Sequence, residues 1–163
     1  YAKVVALTFD DGPTTDGTGH ILEMLEDHSV RATFFLMGSS IEANPEAARA
    51  LVAAGHEIGN HTYSHDRMVL KSHAFVKQEI EATDRLIRSV GYTGDIHFRA
   101  PYSHKFVMLP WYLSRTGRKH ISWDVEPESF REISGDADKI TDHVLELTRP
   151  GSIILLHVMY AQR

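Results

Sequence analysis

Short apolar runs alternate with segments of helical spacing along the whole chain, and no low-complexity stretch interrupts them. The runs Val4 to Phe9, Ala32 to Leu36, His56 to Gly59, Ile96 to Ala100, His120 to Val125 and Ser152 to His157 read as strands. Most are continuously apolar rather than alternating, as strands covered on both faces are. Between them, Gly19 to Asp27, Glu46 to Ala54, Phe75 to Val90, Phe106 to Arg115 and Ala137 to Leu147 carry apolar residues three or four apart and read as helices. The series Val76, Ile80, Thr83, Ile87 and Val90 shows the spacing best. Asn44-Pro45-Glu46 offers an N-cap with proline in the first turn, and Gly55, Gly91 and Gly117 each follow a helical run just before a strand. The alternation predicts an α/β fold with mostly parallel strands, either doubly wound or closed into a barrel, and periodicity does not choose between them.

Composition narrows the function classes. The chain has 163 residues, 42% of them apolar and 24% charged, enough for one ordinary core in a single domain. A formal charge of −5 removes the diffuse positive field that holds phosphate backbones, so no nucleic-acid partner is expected. No apolar run approaches the roughly 20 residues of a membrane-spanning helix, and the start, Tyr1-Ala2-Lys3-Val4-Val5, lacks the basic and small-residue pattern of a signal peptide. The expectation is a soluble chain with no membrane partner, most simply a monomer. There are no cysteines, so any metal must be held by His, Asp or Glu, and 11 histidines make imidazole chemistry a natural candidate.

The reactive residues gather after the predicted strands, where parallel α/β folds place their sites. Asp10-Asp11-Gly12-Pro13 follows the first strand, His61-Thr62-Tyr63-Ser64-His65 the third and Arg99-Ala100-Pro101-Tyr102 the fourth. Asp124 and Glu126 follow the fifth, and His157 closes the sixth. Each has a plain structural alternative: a chance His-x-x-x-His spacing, an Asx-turn with solvated acids, an ion pair at Arg99, a hydrogen-bonded core histidine at 157. Their gathering at one end of one sheet is what favours a site.

These same residues carry a resemblance. Thr8-Phe9-Asp10-Asp11-Gly12-Pro13, His61-Thr62-Tyr63-Ser64-His65, Arg99-Ala100-Pro101-Tyr102 and Leu155-Leu156-His157 resemble, in order, four motifs of the polysaccharide deacetylases with the NodB homology domain, carbohydrate esterase family 4. The resemblance implies a distorted (β/α) barrel with fewer than eight regular units and a divalent metal, zinc by preference, on Asp11, His61 and His65. It further implies Asp10 as general base with Arg99 as its orienting partner, and His157 as general acid. Pro101 and Tyr102 shape the site, the Tyr102 backbone N–H helps to hold the oxyanion, and Leu155 lines the acetyl pocket. The implied activity is hydrolysis of the N-acetyl group of β-1,4-linked N-acetylglucosamine in chitin oligomers or peptidoglycan, with an acetylated glycan as partner. A secreted, periplasmic or cell-surface location goes with it.

The chain departs from that family in two places. Trp123-Asp124-Val125-Glu126-Pro127-Glu128-Ser129-Phe130 has Ser129 and Phe130 where the family's fourth motif ends in Asp-Trp. The histidine at 157 therefore needs another carboxylate, and Asp124, Glu126 or Glu128 is expected to reach it. The chain also stops six residues after His157, so the domain over 1–163 is expected to lack a C-terminal helix and strand. An O-acetyl xylan esterase and a non-catalytic carbohydrate-binding protein on the same fold are the competing functions. Substrate choice is expected to reside in the loops Gly38 to Asn44, Asp66 to Ala74 and Tyr102 to Pro110; Trp111 and Tyr112 read as helix core as readily as sugar platforms.

Overall fold

A computed structural model describes residues 3–159. The continuous apolar runs form β1 (Ala6–Asp10), β2 (Thr33–Leu36), β3 (Glu57–Asn60) and β4 (Ile153–Leu156), all parallel, in the order β3-β2-β1-β4. The helices are α1 (Thr15–Asp27), α2 (Gly38–Ala43), α3 (Pro45–Ala53), α4 (His73–Ser89), α5 (Met108–Arg115) and α6 (Ala137–Leu147), with a 3-10 turn at Pro101–Ser103. β2 shows why such a run is a strand: Phe34, Phe35 and Leu36 are all buried although successive side chains face opposite ways.

The predicted strands at 96–100 and 120–125 are present only as single bridges, Asn60 to Phe98, Phe98 to His120 and Val125 to Ile154. These bridges still complete a ring. Arg99 N–H donates to Asn60 O at 3.0 Å, Ile121 N–H to Phe98 O at 2.8 Å, and Leu155 N–H to Val125 O at 2.9 Å. The segment 120–125 thus fastens to the 96–100 segment at one end and to β4 at the other, giving a distorted barrel of parallel segments. Its interior is crowded: a Cβ on Gly59 would lie 2.4 Å from the Phe35 ring, so only glycine fits there.

Two apolar clusters cover the outside. One packs α1, α3 and the C-terminal half of α4 on the sheet through Ile21, Leu25, Ala48, Leu51 and Ile87; the other packs the first half of α4 and α5 on Phe98 through Val76, Ile80, Leu109 and Leu113. Gly55, Gly91 and Gly117 take positive φ after their helices, as their sequence positions predict. Asn44 differs from expectation: its side chain makes no cap bond, and instead donates to Pro13 O at 3.2 Å and accepts from Thr15 Oγ1 at 2.9 Å. Helix α2 falls where a loop is expected. Its first N–H groups donate to Thr62 O and Tyr63 O, tertiary acceptors that weak helix formers such as Gly38-Ser39-Ser40 do not announce. Val4 and Val5 are exposed and precede the first strand. No helix among the described residues is long and apolar enough to cross a membrane.

Candidate metal centre and active site

Every catalytic or ligand residue singled out in the sequence lies at the C-terminal rim of the barrel. Asp10 is the last residue of β1, and Asp11 turns out of the strand at φ 67°. His61 follows β3, and His65 closes the next turn at φ 61°. The ligand-type atoms of Asp11, His61 and His65 lie within 4.8 Å of one another. His65 Nε2 is 3.3 Å and His61 Nε2 3.7 Å from Asp11 Oδ1.

Three observations test whether a cation fits. Both carboxylate oxygens of Asp11 are buried without a hydrogen-bond partner, an arrangement that costs several kcal/mol unless a positive group faces them. His61 Nδ1 lies 2.9 Å from the backbone oxygen of Arg99, which fixes the proton on Nδ1 and turns the lone pair of Nε2 towards Asp11. Burial, helped by the neighbouring His61, lowers the pKa of His65 although Asp11 and Asp10 pull the other way, so its ring is neutral and able to ligate. One carboxylate and two imidazoles with positions left open suit a zinc-like divalent ion. The donor set fits.

The turn carrying the histidines is held by residues the motifs do not name. Glu79 of α4 is buried, and its Oε2 accepts from Tyr63 N–H at 3.0 Å, Ser64 N–H at 2.8 Å and Ser64 Oγ at 3.0 Å. Asn60 accepts from Thr62 N–H at 2.9 Å and donates to Ile80 O and Asp84 Oδ1. Thr62 itself sits at φ 68°, a strained value for a β-branched residue that these bonds stabilise. The one sequence signal for Glu79 is an acid placed on the apolar stripe of α4, between Val76 and Ile80.

Arg99 is fully buried inside the barrel. Its Nη1 donates to Asp10 Oδ1 at 2.6 Å and Thr8 Oγ1 at 2.8 Å, and its Nε to Ile121 O at 3.1 Å. The guanidinium also lies 4.1 Å over the Phe35 ring. Burial lowers its pKa and the Asp10 charge opposes that, but a guanidinium keeps its proton throughout. Asp10 is thereby held with Oδ2 turned to the metal side, 3.6 Å from His61 Nε2.

Across the rim, Glu128 fills the role left by the altered fourth motif. Its Oε2 accepts from His157 N–H at 2.7 Å and lies 2.7 Å from His157 Nδ1. Asp124 is taken up by Ser152 Oγ and Ile153 N–H instead, and Glu126 stands within the same Glu-Glu-His cluster. Burial alone would lower the pKa of His157; the bond and charge of Glu128, with Asp10 and Asp11 beyond, outweigh it and the net direction is up. Pro101 is buried, while Tyr102 is exposed at φ 56° with its ring 4.9 Å from that of His65. Leu155 is buried in β4 beside Thr8, enclosed rather than open at the rim. Tyr112 is core, as one sequence reading had it, whereas Trp111 is half exposed against His73.

Fold and site together define a class: α/β barrels with a His-His-Asp cation centre at the C-terminal rim, next to a carboxylate clamped by a buried arginine. The comparisons agree. The profile of the polysaccharide deacetylase family matches residues 1–120, and the chain belongs to that family. It is 37% identical over 157 residues to a chitooligosaccharide deacetylase of Sinorhizobium fredii, covering 96% of this chain and 72% of that one. It is 35% identical over 153 residues to a peptidoglycan-N-acetylglucosamine deacetylase of Bacillus cereus, covering 94% of this chain and 55% of that one. Among solved structures, a family 4 carbohydrate esterase from Streptomyces lividans in complex with acetate superposes with a TM-score of 0.86 at 33% identity, over 95% of this chain and 79% of that one.

Proposed function

We propose that this chain hydrolyses the N-acetyl group of β-1,4-linked N-acetylglucosamine residues, in chitin oligomers or peptidoglycan, releasing acetate and leaving a free amine. The curated relatives act on such glycans by name. The observation that carries the reading is the unpartnered, buried carboxylate of Asp11 facing two imidazole Nε2 atoms directly beside Asp10. An O-acetyl esterase would use the same centre, but its alkoxide leaving group leans less on an acid. The Glu128-charged imidazole at 157 therefore favours the amide.

Asp11, His61 and His65 are the residues that would hold the cation, with zinc the ion the donor set suits best. Such an ion supplies Lewis acidity to the acetyl carbonyl and makes a neighbouring water easier to deprotonate. Asp10, oriented by Arg99, takes that water's proton on the oxygen turned to the centre. The backbone N–H of Tyr102 would donate to the developing oxyanion, a contact typically worth about 3 kcal/mol. His157, its Nδ1 proton held by Glu128, delivers a proton to the departing nitrogen, without which an amine anion would have to leave. Pro101 and Leu155 bound the space for the acetyl group.

The test is acetate release from chitin oligomers, peptidoglycan and acetylxylan, with the protein stripped by chelator and then reloaded. Release from the N-acetylated glycans that vanishes on stripping and returns with zinc supports the reading. Turnover unaffected by chelation, or confined to acetylxylan, overturns it. Asp10→Asn should lower turnover by about 10²–10⁴-fold, with ion binding retained in a titration.

A further inference from the structure

A cavity of about 580 Å³ opens on the rim beside the centre, lined by Asp66, Arg67, Val69, Lys71 and His104. It joins the centre through Tyr102. The Tyr102 ring lies 4.9 Å from that of His65, and the Arg67 guanidinium carbon 5.0 Å from the centroid of the Tyr102 ring. The cavity's two fixed cations differ. Lys71 Nζ is 2.8 Å from Asp66 Oδ2, so each cancels the other. Arg67 is exposed and makes no ion pair among the described residues; what holds it is the aromatic face beneath. A guanidinium laid on a ring keeps its N–H groups in its own plane and pointing outward, the geometry that takes a carboxylate with two parallel bonds.

We propose that Arg67 and Tyr102 form a subsite for a carboxylate carried on a sugar neighbouring the one deacetylated. Acidic glycan strands, such as peptide-free stretches of peptidoglycan whose lactyl ethers end in free carboxylates, are then preferred over neutral chitin oligomers. The proposal rests on the deacetylase reading and sharpens its substrate class. The exposed Tyr102 and Val69 offer apolar contact to the sugar ring, while Arg67 supplies a charge that no ion pair among the described residues offsets. Because the pair is solvent-exposed, the effect falls on binding and is modest.

The experiment uses the zinc-loaded protein and three probes: neutral chitin oligomers, peptide-free peptidoglycan strands, and the same strands with their carboxyl groups amidated. Equilibrium binding and acetate release are measured in parallel for the natural protein, Arg67→Gln, Arg67→Lys and the remote charge control Lys77→Gln. The expected result is that Arg67→Gln weakens binding and raises KM for the carboxylated strands about five- to tenfold, with less than twofold change on the other two probes. Arg67→Lys should recover part of the loss, and Lys77→Gln none of the selectivity. Equal losses on carboxylated and amidated strands, or a natural protein that binds both alike, would overturn the subsite. A protein that binds carboxylated strands selectively but releases no acetate from any probe would keep the subsite and overturn the deacetylase reading instead.

Discussion

The two sides of the catalytic rim are built differently. On the metal side, His61, Thr62 and Asp11 are buried, and the turn 61–65 is fixed by partners in several elements, among them Arg99 O, Glu79 and Asn60, around the two unpartnered oxygens of Asp11. On the acid side, His157 and Glu128 are half-buried, follow the last strand and a strand reduced to one bridge, and hold each other through a single carboxylate oxygen. The contrast follows from the chemistry. A cation centre needs donors fixed before the ion arrives, because ligands that must reorganise lose affinity. An acid that meets a leaving group needs a tuned proton and some access to solvent, so that it can be recharged between turnovers.

The largest effect should come from the metal-side residue that holds both the ligand His61 and the neighbouring Asp10. Arg99→Lys keeps a charge but cannot reproduce the fork to Asp10, Thr8 and the carbonyl of Ile121. A loss of about 3–5 kcal/mol in unfolding free energy is expected, measured by denaturant titration, together with near-complete loss of turnover. Retained stability would show that the barrel interior relaxes around an ammonium. Glu79→Ala comes next, since it strands the Tyr63 and Ser64 donors. Ion affinity should fall about 10–100-fold, read by competition with a chelating dye, and the protein should lose about 1–3 kcal/mol. Unchanged affinity would mean that the ion itself, not the scaffold, organises the turn.

Glu128→Gln should act on the other side only. Losing the carboxylate removes the bond and charge that raise the pKa of His157, so the alkaline limb of the pH–rate profile moves to lower pH while ion affinity stays. The sign for stability follows. A histidine raised in the folded state contributes stability that is complete below its ordinary value of 6.5 and fades as pH climbs through the folded value. The natural protein should therefore exceed Glu128→Gln most on the acid side of that window, converging above it, as thermal unfolding across pH would reveal. An alkaline limb that does not move would point to Glu126 as the working partner. The smallest effect is expected at Asp136→Ala. That residue caps α6 through Lys139 N–H, and its loss should cost about 1 kcal/mol with kcat/KM unchanged.

The metal side was also the more legible in the sequence. Asp10, Asp11, His61, His65 and Arg99 sit in short motifs directly after strands, where backbone direction alone brings them together. The partner of His157 was narrowed to three acids by composition, and only the path of the chain after residue 125 selects Glu128 over Asp124. Glu79 shows in the sequence only as an acid on the apolar stripe of α4, because its function depends on donors 15 and 16 residues away. Strands whose two faces are buried were read within a residue or two; those at 96–100 and 120–125 mix polar residues such as His97, Arg99, His120 and Ser122 into the run, and they pair through bridges rather than ladders. Helix α2 shows the opposite case, formed by tertiary acceptors against weak local preference.

Arg99 is bound at both ends: its carbonyl oxygen orients His61 while its guanidinium clamps Asp10. Ion ligation and proton abstraction therefore share one anchoring point. The carbonyl belongs to the main chain and outlasts any replacement of the side chain, so a descendant that exchanges this arginine should keep its grip on the ion while surrendering the base.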